Sequence, residues 1–243
     1  MDVTFLGTNG WYDSVTGNTI STLVETNGYY ILLDAGNGIH KADQFMKGDK
    51  PVHMFLSHFH LDHLAGLHIL AKFTHAMGLD IYGQPGTKQY LGGIMKHPYT
   101  IPFKELHYRA HVHELSEGVH EIPYRVECLP LIHADPCYGY RFEVDGKVLA
   151  YCTDTGYCEN AVKLARGADL LITECSFKKG QSNPGWPHLN PEDAVRIAHE
   201  SGAKKLALTH FDANNYRSLK ERDLILEDHG DVFIAHDCMS LRV

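Results

Sequence analysis

The chain has 243 residues, 44% of them hydrophobic and 21% charged, which is enough apolar material for a packed globular core. No apolar run reaches the roughly 18 residues of a membrane span, and the opening MDVTFLGTNG lacks the basic-then-apolar pattern of a secretion signal. A formal net charge of −8 with no Lys/Arg stripe argues against a broad electrostatic grip on nucleic acid, because that grip works through cationic contacts to phosphates.

Strand-like stretches recur along the chain at 3–7, 29–34, 52–58, 80–83, 125–133, 138–144, 147–154, 170–176, 205–210 and 231–236. Each is rich in Val, Ile, Leu, Tyr or Phe and bounded by Gly, Asp or Asn. Asp145-Gly146 between two of them signals a hairpin. Helical patterns fall between the strands at 61–73, 190–202 and 214–230. The second carries Asn190 as a cap, Pro191 in the first turn and Gly202 at the end. Nothing like a linker or repeat divides the chain, so it reads as one domain over 1–243, mixed β with helices outside. The six cysteines include no CxxC pair, and several sit in strand-like stretches, which suits reduced thiols in a cytoplasmic protein.

Polar residues end several of these strands. His58, His133, Asp154 and His210 each close one, and Glu174 lies near the end of another. Polar strand ends from distant parts of a chain are a common way to furnish one cavity. Within LSHFHLDHLAG (56–66), His58, His60, Asp62 and His63 are crowded into six positions. Ionisable groups that dense, in a stretch otherwise suited to the core, need solvent or a cation among them.

Imidazole and carboxylate together suit zinc, iron or manganese. His58 and His60 alternate by two, so on extended chain they share a side. Asp62 and His63 open the following helix and present a second pair. The set divides into His58, His60 and His133 for one ion and Asp62, His63 and His210 for another. Asp154 would bridge them, since two ions about 3.5–4 Å apart need a shared anionic ligand. Taken singly, each has a plainer reading: His133 as a core or strand-end histidine, Asp154 as a turn residue, His210 as a loop histidine. Asp34, in LLDAGNG, is expected to brace the metal loop. His236 and Asp237, at another strand end, are expected to be structural. His68, His75, His97, His107, His111, His113, His120, His199 and His229 read as surface or internally satisfied histidines.

SHFHLDH, the isolated His133, TDTG and LTHF together resemble the metallo-β-lactamase fold hydrolases. Within them, ITECSF (172–177) and PHLNPEDAVRIAHESGAKKLALTHF (187–211) resemble the ribonuclease Z–like phosphodiesterase branch. The likeness extends from VTFLGTNG to HDCMSLRV. It implies an α/β fold of four layers, an αββα sandwich of two mixed β-sheets flanked by helices, with a dinuclear site at one edge. Two divalent ions, zinc first with manganese or iron as alternatives, would bring a bridging water to hydroxide near pH 7 for attack on phosphorus. Asp62 can also hold or accept a proton of that nucleophile. The resemblance gives His188 contact with the phosphate or protonation of the leaving oxygen, and gives Glu174 its support. From the residues alone, His188 could instead cap the next helix, and Glu174 could be structural.

The branch carries a long tRNA-clasping arm between its third histidine and bridging aspartate. Here His133 and Asp154 are 21 positions apart with a hairpin between them. A small or single-stranded phosphodiester is therefore the expected substrate, not tRNA, with no membrane partner and a homodimer expected from the family. Two alternatives stand beside this reading. One is a carboxyl-ester, lactone or thioester hydrolase on the same metals. The other is a non-catalytic nucleic-acid-binding relative. The substrate pocket is expected to take its walls from loops 8–18, 94–104 and 176–188.

Overall fold

A computed structural model of the chain describes residues 1–228 and 232–243; His229 lies outside them. Two seven-stranded mixed sheets pack face to face. The first orders strands Ser240–Arg242, Asp2–Gly7, Ser21–Glu25, Tyr30–Leu33, Val52–Phe55, Leu79–Gly83 and Ala110–Glu114. The second orders Val232–Ile234, Leu206–Thr209, Leu170–Glu174, Lys147–Cys152, Tyr138–Val144, Arg125–Pro130 and Gly118–Glu121.

Each sheet contains a parallel half, from Tyr30–Leu33 to Ala110–Glu114 in the first and from Lys147–Cys152 to Val232–Ile234 in the second. Interior parallel strands are covered on both faces and read as near-continuous apolar runs accordingly, whereas Ala110–Glu114 at the sheet edge does not. Alternate residues then supply different layers. Ile31, Leu33 and Phe55 meet Tyr140, Tyr151 and Ile172 between the sheets. Tyr30, Leu32 and Met54 point outward against Ile39, Leu67 and Leu91. On the far side Leu171 and Leu208 pack against Ala161, Leu164, Ala194 and Ile197 of helices Glu159–Ala165 and Pro191–Ser201. The result is the expected four-layer αββα sandwich. Among the described residues no helix is long and apolar enough to cross a membrane.

The helix at 190–202 forms as its punctuation predicts: the Asn190 side chain accepts the Asp193 N–H at 2.8 Å, and Gly202 terminates it at φ 66°. The stretch 61–73 is different. Only Leu61–Leu64 is α-helical, and Ala65–Lys72 is 3-10. Gly66 explains the switch, because its N–H donates outside the helix to the Ala35 carbonyl at 2.8 Å. A Cβ there would also meet the Gly36 carbonyl oxygen at 2.3 Å, so only glycine permits the approach. The stretch 214–230 yields two short helices, Leu219–Asp223 and Ile225–Asp228, in place of one.

Several strands stop short of their expected ends, and the shortfall positions the site. Strand Val52–Phe55 runs three residues less than expected: Leu56 N–H still bonds the Tyr82 carbonyl, but Ser57 N–H turns to the Asp34 carboxylate at 2.8 Å. His58 and His60 thereby leave the ladder. The strand expected at 125–133 ends at Pro130, which has no N–H to pair, and His133 lies in the loop beyond it. Asp34, Asp154 and His210 each follow a strand in the left-handed region, with φ of 57°, 53° and 50°. All of these residues gather at the carboxyl ends of the strands, where crevices of open α/β sheets hold ligands.

Candidate metal centre

Asp154 sits at the middle of the cluster, fully enclosed. Its Oδ1 faces His210 Nε2 at 3.1 Å and His63 Nε2 at 3.4 Å, while its Oδ2 faces His58 Nε2 at 3.5 Å and His133 Nε2 at 3.9 Å. One carboxylate thus turns one oxygen to each of two histidine groups. Asp62 joins the first, its Oδ2 lying 3.3 Å from His210 Nε2 and 3.7 Å from His63 Nε2. His60 joins the second, with Nδ1 3.4 Å from His133 Nε2. The structure therefore brings together His58, His60, His133 and Asp154 in one grouping and Asp62, His63 and His210 in the other, each with donor atoms mutually within 4.8 Å.

Surrounding residues fix the tautomers. Asp34 Oδ2 accepts from Tyr151 Oη at 2.7 Å, Ser57 Oγ at 2.8 Å and His63 Nδ1 at 2.9 Å. Asp34 thus braces the loop as expected, and its acceptor-only oxygen requires the His63 hydrogen to sit on Nδ1. The Ser176 hydroxyl donates to the His210 carbonyl at 2.9 Å, which leaves its lone pair for His210 Nδ1–H at 3.1 Å. In their neutral forms His63 and His210 then turn bare Nε2 lone pairs on each other across 3.1 Å. His58 Nε2 is buried with no hydrogen-bond partner. Lone pairs converging on carboxylates in this way fit a divalent cation of the borderline N/O class.

Electrostatics agree. Burial opposes the charge on Asp154, yet His210, His63 and His58 hold its carboxyl well below the usual range. Burial, and then His63, push His58 well below the ordinary imidazole value, which keeps it a neutral lone-pair donor. Burial likewise opposes charge on His63, but Asp154 and Asp34 raise it well above the ordinary value. With no cation, the cluster balances its carboxylates by taking up protons.

His188 and Glu174 stand beside the cluster. Glu174 is wholly buried at the end of its strand and accepts from His188 Nδ1 and the Thr155 N–H, both at 2.7 Å, and from the Ser176 N–H at 3.2 Å. Burial of the His188 ring opposes its charge, but Glu174 lifts it to about 9. His188 also stacks on His210 with centroids 6.2 Å apart.

A cavity of about 730 Å³ opens over the cluster. Loops 8–18 and 176–188 supply walls, through Gly10 and Trp11 and through Ser176, Trp186 and His188. Loop 94–104 supplies none, contrary to expectation: it follows helix Thr87–Ile94, and its Met95 packs with Leu91 into the outer layer of the first sheet.

Sequence reasoning missed several contacts: the Trp11 N–H on Asp62 Oδ2 at 2.7 Å, Asp135 Oδ2 on His60 Nε2 at 2.8 Å, and Trp186 stacked on His60. The one signal available was that each tryptophan follows a glycine in a loop, in NGWY and PGWP. His236 and Asp237 serve structure, pairing with Asp223 and Lys41. Away from the centre, Asp80, His111 and His113 also converge, but the Asp80 carboxylate is already met by His113 at 2.7 Å and Arg109 at 3.6 Å.

Comparison with known proteins fits this geometry. A model of the beta-lactamase superfamily domain matches residues 29–211. The chain is 29% identical to the probable metallo-hydrolase YhfI of Bacillus subtilis (strain 168), over 97% of each. It is 28% identical to a ribonuclease Z of Acaryochloris marina, over 100% of this chain and 98% of the other. That alignment occupies 313 positions against 243 residues here, so at least 70 positions have no counterpart in this chain. Among solved structures, YhfI superposes with a TM-score of 0.77 at 26% identity, covering 99% of this chain and 98% of that one. The short form of human tRNase Z gives 0.76 at 25% identity, covering 100% and 99%. The sandwich, the histidine–aspartate cluster at its strand ends and the matched family together establish that the chain belongs to the beta-lactamase superfamily, on the side of its ribonuclease Z–like members.

Proposed function

We propose that this hydrolase is a dinuclear metal-dependent phosphodiesterase acting on a small phosphodiester. The observation that carries the reading is the His188–Glu174 pair, 2.7 Å apart beside Asp154. Glu174 stabilises the protonated imidazole, so His188 meets the substrate as a cation able to bind a phosphate oxygen and then protonate the departing alkoxide. A carboxyl-ester or thioester substrate, with no phosphate charge, makes less use of such a group. His58, His60 and His133 would hold one ion and Asp62, His63 and His210 the other, with Asp154 between them and zinc the first expectation. Bound there, the ions supply Lewis acidity and a nucleophile from water at neutral pH. Asp62, whose Oδ2 accepts the Trp11 backbone N–H, would hold the second ion and could orient a water through its other oxygen. Glu174 acts through His188 as a positioning residue.

What supports a small substrate over tRNA is the absence of the 70 or more aligned positions that the ribonuclease Z relative has, together with the net charge of −8. The test is hydrolysis of bis(p-nitrophenyl) phosphate by metal-analysed protein, with a lactone and a thioester run in parallel. Turnover of the phosphodiester with about two ions per chain is expected. Turnover of the lactone or thioester alone would move the protein to the carboxyl-ester class.

A further inference from the structure

The cavity over the centre has a character that metal chemistry leaves unused. The chain contains two tryptophans, and both line this one cavity. Trp11 is 67% exposed and Trp186 46% exposed, and the neighbouring Leu61 is 70% exposed. Large apolar side chains presented together to water mark a surface that something covers.

Each tryptophan is joined to a candidate ligand, Trp186 through its ring and Trp11 through its backbone. Trp186 lies nearly parallel to the His60 ring, centroids 5.7 Å apart and planes 9° apart, and sets its edge against His133 at 5.6 Å. Trp11 adopts φ 70°, and its backbone N–H holds Asp62 Oδ2 at 2.7 Å, while its side chain lines the cavity. A flat ring bound against the Trp186 indole would therefore lie next to the reacting phosphate, in a cavity that Trp11 also lines.

No Lys or Arg is among the residues lining the cavity; its charged side chains are Asp62, Asp154 and Asp212 with the imidazoles. A polynucleotide carries a phosphate at every step, and the phosphates flanking the scissile one call for cations. This cavity offers positive charge to one phosphate alone.

We propose that Trp11 and Trp186 form an aromatic stacking surface for a nucleobase, and that the substrate is a single phosphodiester bearing one such base, of cyclic-mononucleotide size. This rests on the phosphodiesterase reading above. Stacking on an aromatic side chain tolerates any base, since every base has a π-face, and losing one partner weakens binding by about tenfold.

Because both indoles sit at this cavity, intrinsic fluorescence reads its occupancy directly. The metal-loaded protein is titrated with 5′-AMP, ribose 5-phosphate and inorganic phosphate. Saturable quenching by 5′-AMP and none by ribose 5-phosphate is expected. Trp11→Ala and Trp186→Ala should each weaken 5′-AMP about tenfold, read by competition in the same metal-loaded state, and Trp186→Phe should restore most of the loss. Metal content of each variant shows that the centre is intact. Equal behaviour of 5′-AMP and ribose 5-phosphate, or alanine variants that bind 5′-AMP as the wild type does, would overturn the stacking surface. Quenching is read without turnover, so failure to hydrolyse bis(p-nitrophenyl) phosphate would count against the phosphodiesterase reading alone.

Discussion

Glu174 Oε1 accepts from both His188 Nδ1 and the Thr155 N–H at 2.7 Å, so one buried oxygen joins a candidate proton donor to the turn that carries Asp154. The hydrogen on Nδ1 is thereby fixed, and Nε2 is the end left for substrate.

From this follows a pH profile. Glu174 raises His188 to about 9 against the cost of burial, so the imidazolium is the resting form at neutrality. A proton donor works below its pKa, so kcat should hold through neutrality and fall as pH rises past about 9. Glu174→Gln removes the charge that sustains the shift, and the basic limb should move down towards the ordinary value of about 6.5. His188→Ala should lower kcat by about a hundredfold or more with metals retained. The same shift bears on stability. Because the folded value lies above the unfolded one, the pair's contribution is full below about 6.5 and is lost as pH rises through about 9. A profile unchanged in Glu174→Gln would remove Glu174 from the chemistry.

Metal removal should destabilise the fold. Without a cation His58 Nε2 has no hydrogen-bond partner, and His63 and His210 must take up a proton to avoid facing lone pairs across 3.1 Å, which is costly. A ligand present at a hundred times its Kd adds about 2.7 kcal/mol, so a chelator should lower Tm and added zinc should restore it. Asp154 raises both His63 and His210 against their burial, so protons compete with the ion and metal affinity should fall as pH falls. Identical melting with and without chelator would sink the metal reading.

Gly10→Ala tests the second grouping by shape alone. A Cβ at Gly10 would meet His210 Cε1 at 2.5 Å and its ring nitrogens at 2.8 and 2.9 Å. The imidazole must swing away, so metal stoichiometry should drop from about two to about one per chain. Full loading of the variant would show that His210 is not needed as a ligand.

Asp135→Ala tests the first grouping from outside. Asp135 receives the His60 Nε2 hydrogen at 2.8 Å and so keeps Nδ1 bare towards the cluster, yet its own side chain is 63% exposed. Removing such a partner weakens metal binding about 10–100-fold. Competition against a chromophoric chelator should show that loss for one ion, with the Tm of the metal-free protein unchanged.

Arg222→Met addresses the scaffold. This buried guanidinium bonds Thr8 Oγ1 at 3.0 Å, Thr16 Oγ1 at 2.8 Å and Asn9 Oδ1, and lies 4.6 Å over the Phe211 ring. It ties the loop that carries Trp11 to helix Leu219–Asp223. Losing three hydrogen bonds to a buried charged group should cost about 3 kcal/mol or more in urea unfolding.

The sequence by itself determined the apolar strands of the parallel halves, the capped helix at 190–202 and the residues that converge at the centre. Those signals are local: an apolar run, an Asn–Pro–Gly punctuation, four polar side chains in one short stretch. Strands Ala110–Glu114 and Gly118–Glu121 escaped notice because they sit at sheet edges, half-exposed and rich in His and Glu. The 3-10 form of Ala65–Lys72 could not be read either, since it depends on a bond from Gly66 to Ala35, 31 residues away. Only the tertiary structure decided that Trp11 would hold Asp62, that Asp135 would orient His60 and that both tryptophans would share one cavity. Such contacts join residues 51, 75 and 175 positions apart, and nothing in residue type or spacing encodes them until the strands pair and bring the loops to one end.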